Sequence, residues 1–129
     1  MLLEDIVTYL SHLNLVKGDG VDTFRDFIPE GPDNIVILYE YAGDPASPYT
    51  DVVHRSIQVL VRNKSATQSK VLAEKICDAF RLSNESLRID FTPTRWGQVH
   101  IRQTPFKLKQ DDKDRVLYVF NLGITTNKD

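Results

Sequence analysis

Leu2, Leu3, Ile6, Val7, Leu10 and Leu13 recur every three or four positions, the spacing that places them on one face of a helix. Glu4 and Asp5 fall in the first turn, where the helix dipole favours acids. A helix is therefore predicted over about residues 2–14, stopped before Gly18-Asp19-Gly20. The stretch Pro29-Glu30-Gly31-Pro32-Asp33 cannot continue any regular element, because its prolines lack donors and its glycine loosens the backbone. Ile35 to Tyr39 is a continuous β-branched and aromatic run, which reads as a well-buried strand over about 34–41.

The pattern changes to strict alternation at Ile57, Val59 and Val61, giving a strand over about 54–62. Ser65-Ala66-Thr67-Gln68 then has the form of a capping box. It opens a helix over about 66–80 with Leu72, Ala73, Ile76, Ala79 and Phe80 on one face and Lys70, Lys75 and Asp78 mostly off it. Ser83-Asn84-Glu85 reads as a turn. Leu87, Ile89 and Phe91 alternate in a third strand, and Val99 and Ile101 in a fourth that Pro105 is expected to close, with Phe106 and Leu108 pinning the next turn. Lys109 to Asp114 is a charged hairpin tip, read as solvated. Val116, Tyr118, Phe120 and Leu122 mark a long last strand, with Leu117 and Val119 on its other face. Hairpin-length links join the later strands, so the expected fold is α+β, a mostly antiparallel sheet with two helices packed on one face. No repeat or linker divides the chain, and residues 1–129 are expected to form a single domain.

Composition narrows the function classes without choosing among them. Hydrophobic residues make up 41% and charged residues 26%, an ordinary globular balance, and the formal net charge of −2 gives no overall footprint for duplex DNA or an anionic membrane. Acids at positions 4 and 5 do not suit a secretory signal, and no stretch has the apolar length of a membrane span. The single cysteine, Cys77, cannot form an internal disulfide and sits beside an apolar helix face, where it reads as a small core residue. His12, His54 and His100 lie on different elements, with no Cys, Asp or Glu at metal-ligand spacing, and no nucleophile elbow or phosphate-binding glycine loop is present. Gly18-Asp19-Gly20 with Asp22 and Asp26 fails the calcium-loop pattern and reads as a polar turn. The expectation is no catalytic residue, no cofactor and no metal.

Three surface features remain as candidates for contact with partners. The long loop over about 42–53 contains Asp44, Pro45, Pro48 and Tyr49, and loops of that length are often functional. Trp96, read as a loop aromatic beside Gly97, is a candidate interface anchor. The hairpin tip offers Lys109, Asp111, Asp112 and Lys113. Separately, Arg88, His100 and Arg102 fall on one outward sheet face, with Arg95, Lys107 and Lys109 nearby. That face is either a basic nucleic-acid patch or an ordinary charged surface balanced by Asp90.

Several segments, in order, resemble one family. Phe27-Ile-Pro-Glu-Gly-Pro-Asp-Asn34 leads into a β run and then Tyr41-Ala-Gly-Asp-Pro45. Arg55-Ser-Ile-Gln-Val-Leu-Val-Arg62 is followed by a helix ending Ile76-Cys-Asp-Ala-Phe80. His100 to Leu108, a charged turn and the strand Tyr118 to Gly123 complete the pattern, which spans about residues 24–124. This order resembles bacteriophage minor capsid proteins of the neck, the tail terminator or tail-to-head joining proteins of long-tailed phages. The resemblance implies a virion protein of the tail or neck, made in the bacterial host cytoplasm, and not an enzyme. It also implies a homo-oligomer, a six-membered ring that caps the tail tube protein and faces the head connector or stopper protein. Phage DNA would pass through the lumen without specific binding, and no membrane would be involved. A small nucleic-acid-binding α+β module using the basic sheet face is the alternative reading.

Overall fold

The structure is a computed structural model that describes residues 1–41, 50–81 and 88–128. Its elements run α1 (Leu2–His12), β1 (Thr23–Arg25), β2 (Ile35–Tyr41), β3 (Val52–Asn63), α2 (Ala66–Ala79), β4 (Ile89–Thr92), β5 (Arg95–Gln110) and β6 (Val116–Asn127). The six strands form one sheet in the order β1-β2-β3-β6-β5-β4. Among the described strands only the β1–β2 pair is parallel. The α+β class and the mostly antiparallel sheet follow the sequence reading.

Both helices pack on one face. Leu3, Ile6 and Leu10 of α1 and Ala73, Ile76 and Cys77 of α2 join Val36, Leu38, Ile57, Val59, Val61, Phe120 and Leu122 in one buried cluster. Phe80, fully buried at the end of α2, sits within ring-contact distance of Tyr9, Phe91 and Phe120. Burial raises the pKa of the Cys77 thiol, as expected of a core position. Ser69, buried on α2, shares its hydroxyl proton between the carbonyl oxygens of Val61 (2.9 Å) and Val116 (3.0 Å), stitching the helix to two strands.

The helix ends show which signals governed. Asn14, not the later glycines, terminates α1: it takes φ 59°, its amide donates to the Ser11 carbonyl, and the Leu15 amide donates to the Leu10 carbonyl. That is the Schellman arrangement, with asparagine in the left-handed position. At α2, the Ser65 side chain accepts from the Gln68 amide at 3.2 Å as predicted. The reciprocal bond comes from elsewhere, because the Ser65 amide donates to the Asn63 side chain at 2.9 Å.

Three readings need correction. β1 was missed: its three residues lie in an acid-rich turn region, and their pairing with Val36, Ile37 and Leu38 is a tertiary fact. Pro105 does not close the fourth strand; β5 continues through it to Gln110. Among the described residues β4 covers only the start of β5, so Pro105 lies on an edge where a missing N–H breaks no ladder bond. For the same reason Phe106 and Leu108 pin no turn; they are strand residues, 41% and 48% exposed. The turn placed at Ser83-Asn84-Glu85 lies outside the described residues.

Candidate assembly surfaces

The sheet face away from the helices carries the distinctive chemistry, and its two ends differ. At one end Ile35, Ile37, Leu60, Leu117 and Val119 form a second buried cluster, against which Phe24 and Tyr39 pack. This is why the run from Ile35 is continuous rather than alternating: both of its faces are buried. Arg62, only 2% exposed, donates from its guanidinium to four carbonyl oxygens of the adjoining loop, those of Pro29 (2.9 Å), Glu30 (3.3 Å), Pro32 (2.7 Å) and Asp33 (3.2 Å). Burial first, and then the like charge of Arg115, lower the Arg62 pKa. Arg115 adds a donation to the Glu30 carbonyl at 2.5 Å.

Arg115 also ties down the β5–β6 hairpin tip. Its guanidinium meets the Asp111 carboxylate at 2.7 Å, and that carboxylate accepts from the amides of Lys113 (3.0 Å) and Arg115 (2.9 Å). Lys113 reaches across to Glu30 at 2.6 Å. The tip is solvated as the sequence suggested, with Asp112, Lys113 and Asp114 exposed, but it is braced by these contacts. Asp112 and Lys109 are exposed, while Asp111 is turned inward and Lys113 is engaged with the loop.

The other end of this face is open. A groove of about 730 Å³ is lined by Tyr39, Glu40, Tyr41, Gln58, Arg102, Gln103 and Asn121. Arg102 donates to the Ser56 hydroxyl at 2.7 Å and lies flat on Gly123, where an added Cβ would sit 2.9 Å from the guanidinium. Asn121 donates to Gln103. Arg102, Gln103 and Asn121 are thus held by hydrogen bonds within the protein. It holds neither a nucleophile paired with a base nor, among the described residues, a cluster of metal-ligating side chains.

Of the predicted contact residues that the structure describes, Trp96 lies near the start of β5 and Lys109, Asp111, Asp112 and Lys113 lie at and beyond its far end. Asp44, Pro45, Pro48 and Tyr49 lie outside the described residues. Trp96 is a half-buried residue of β5, not of a loop; its amide donates to the Asn127 side chain at 3.2 Å and the Arg88 guanidinium lies 5.5 Å from its ring centre. The basic face is also smaller than the sequence implied. Arg95 is 5% exposed, paired with Asp5 at 2.9 Å and donating to the Asn127 carbonyl, so its charge points into the fold. Arg88 pairs with Asp90 at 3.4 Å, and the exposed cations that remain on β5 are Arg102, Lys107 and Lys109.

Arg62 and Arg115 were missed as organising residues. The available signal was an arginine on the same side of β3 as Leu60, opposite a turn rich in unpaired carbonyls. No helix among the described residues is long and apolar enough to cross a membrane. Comparison with curated proteins gives no significant match. Residues 9–128 match the family described as bacteriophage tail terminator protein, nearly the whole chain and a wider span than the motifs quoted above. The chain therefore belongs to the bacteriophage tail terminator family and is a structural protein of the phage tail.

Proposed function

We propose that the chain assembles as a six-membered ring that caps the finished tail tube and offers its other side to the head connector, with the phage genome passing through its lumen. The family match over residues 9–128 carries this reading. Two features of the molecule support it. The net charge of −2 suits a channel wall that must not retain passing DNA, since dense phosphate contacts would hold the genome in place. A ring also needs two unlike patches on each subunit, and a rigid six-stranded sheet with two different edges supplies them.

The hairpin tip is the candidate for contact with tube or connector. Its anchorage through Asp111, Arg115, Lys113 and Glu30 presents Asp112 on a fixed rather than a mobile surface, which lowers the ordering cost of docking. Asp44, Pro45, Pro48 and Tyr49 stand as further candidates from their sequence alone. The test is the mass of the purified protein by light scattering during size-exclusion chromatography, alone and with the tail tube protein of the same phage. A six-chain species in either condition is the expected result. A single chain in both contradicts the ring.

A further inference from the structure

We infer that one copy docks the outer edge of β5, apolar and basic, onto the β1 edge of a second copy, apolar and acidic. This rests on the ring reading and specifies its subunit contact. From Arg95 to Gln110 β5 contains no acid. Arg102, Lys107 and Lys109 are exposed there beside Phe106 and Leu108, and neither lysine has an ion-pair partner among the described residues. Beyond Gly97, which pairs with Ile89 at the start of β4, the outer side of β5 carries no strand among the described residues.

The opposite edge has the complementary character. Around β1 stand Glu4, Asp19, Asp22 and Asp26, four acids against the two cations Lys17 and Arg25. Arg25 is shared between Glu4 (3.0 Å) and Asp19 (2.9 Å), which places those carboxylates at this edge. Val21, Phe27 and Ile28, 57%, 55% and 46% exposed, supply apolar surface beside them. Glu30 and Asp33, further along, face three cations, Lys113, Arg115 and Lys64, whereas Glu4 and Asp19 share the single charge of Arg25 and stay net negative.

Strands β2, β3 and β6 separate the two patches, so a contact between them leaves each copy with one patch unused. Such a contact is head-to-tail, the kind that closes into a ring. Side chains, not a continuous ladder, make it. Pro105 and the three register shifts of β5, with Lys107 and Lys109, are devices that keep an exposed edge from pairing with any passing strand.

Two variants test this, each disabling one edge. Lys107→Glu with Lys109→Glu reverses the basic edge; Glu4→Gln with Asp19→Asn removes both carboxylates that hold Arg25 and cancels the net negative charge of the acidic edge. Phe106→Ser is a third, uncharged variant of the basic edge, and circular dichroism confirms that each folds. Light scattering at low salt, with tail tube protein present, reads the assemblies. Each variant alone should associate at least about tenfold more weakly than wild type. An equimolar mixture of the two charge variants should associate more strongly than either variant alone, because the unchanged acidic edge of one can still pair with the unchanged basic edge of the other. If wild type forms rings and the variants do so equally well, or if the mixture does not pair, the contact lies elsewhere and the inference is overturned while the ring stands. A wild type that stays a single chain overturns the ring reading and this inference with it.

Discussion

β3 and β5 flank the same strand and have opposite fates. β3 pairs with β6 in twelve unbroken steps, from Val52–Asn127 to Asn63–Val116, and Ile57, Val59 and Val61 are completely buried under the helices. β5 is longer, pairs with the other side of β6 through three register shifts, and is mostly exposed beyond Val99. One strand holds the fold together; the other is held by the fold and displays side chains. In an assembly protein this division lets a contact surface change without unfolding the molecule that carries it.

The sharpest break in the comparison is a truncation in each strand. Ile57→Ala in β3 removes fully buried methyl groups and should cost about 2–5 kcal/mol. Phe106→Ala in β5 should stay within about 0.5 kcal/mol of wild type. Urea unfolding measures both, and equal losses would refute the division of roles. Next in size is the arginine clamp. Arg62→Met leaves loop carbonyls without their charged donor and should cost about 2–3 kcal/mol, with faster amide exchange in residues 26–34. Unchanged exchange there would mean the loop is held by other contacts.

Gly97 limits how far β5 can vary. An added Cβ would lie 2.5 Å from the Phe91 ring and 3.1 Å from Ile124, so Gly97→Ala should cost about 1–3 kcal/mol by overpacking. At Gly123 the clash is with the mobile end of Arg102, and Gly123→Ala should cost clearly less in the same urea assay while displacing that guanidinium.

The smallest effect depends on pH. The hydrogen bond and charge of Lys113 lower the Glu30 pKa. At Asp111 burial pushes the value up, but hydrogen bonds from the amide and guanidinium of Arg115 and the Lys113 amide together outweigh it, and the net shift is downward. Carboxyls lowered in the folded state add stability above their ordinary range and lose it as pH falls through the lowered values. The stability gap between wild type and Asp111→Asn should therefore be open at neutral pH and close in acid. A gap that is constant with pH would show that Asp111 acts by geometry alone.

The predictions depend differently on what the sequence displayed. Ile57, Val59, Val61 and the Ser65 cap were legible because alternation and capping are local patterns that the final fold only confirms. The same local signals misread Pro105, since a proline ends a strand in isolation but is tolerated on an edge, and edge status depends on strands far away in sequence. Arg62 and Arg115 were opaque for a related reason: a charge inside an apolar strand is intelligible only once the loop carbonyls it serves are in place. The resemblance in the motifs was sound, but the surfaces expected to matter were chosen for exposure alone. The structure shows that Asp111 and Lys113 serve the fold's own contacts.

Electron microscopy of assembled tail tubes incubated with the purified protein tests the central claim most directly. The account predicts a six-fold ring seated on one end of the tube, and tubes that no longer lengthen when more tube protein is added. Protein bound along the tube walls, or tubes that continue to grow with unoccupied ends, would contradict it.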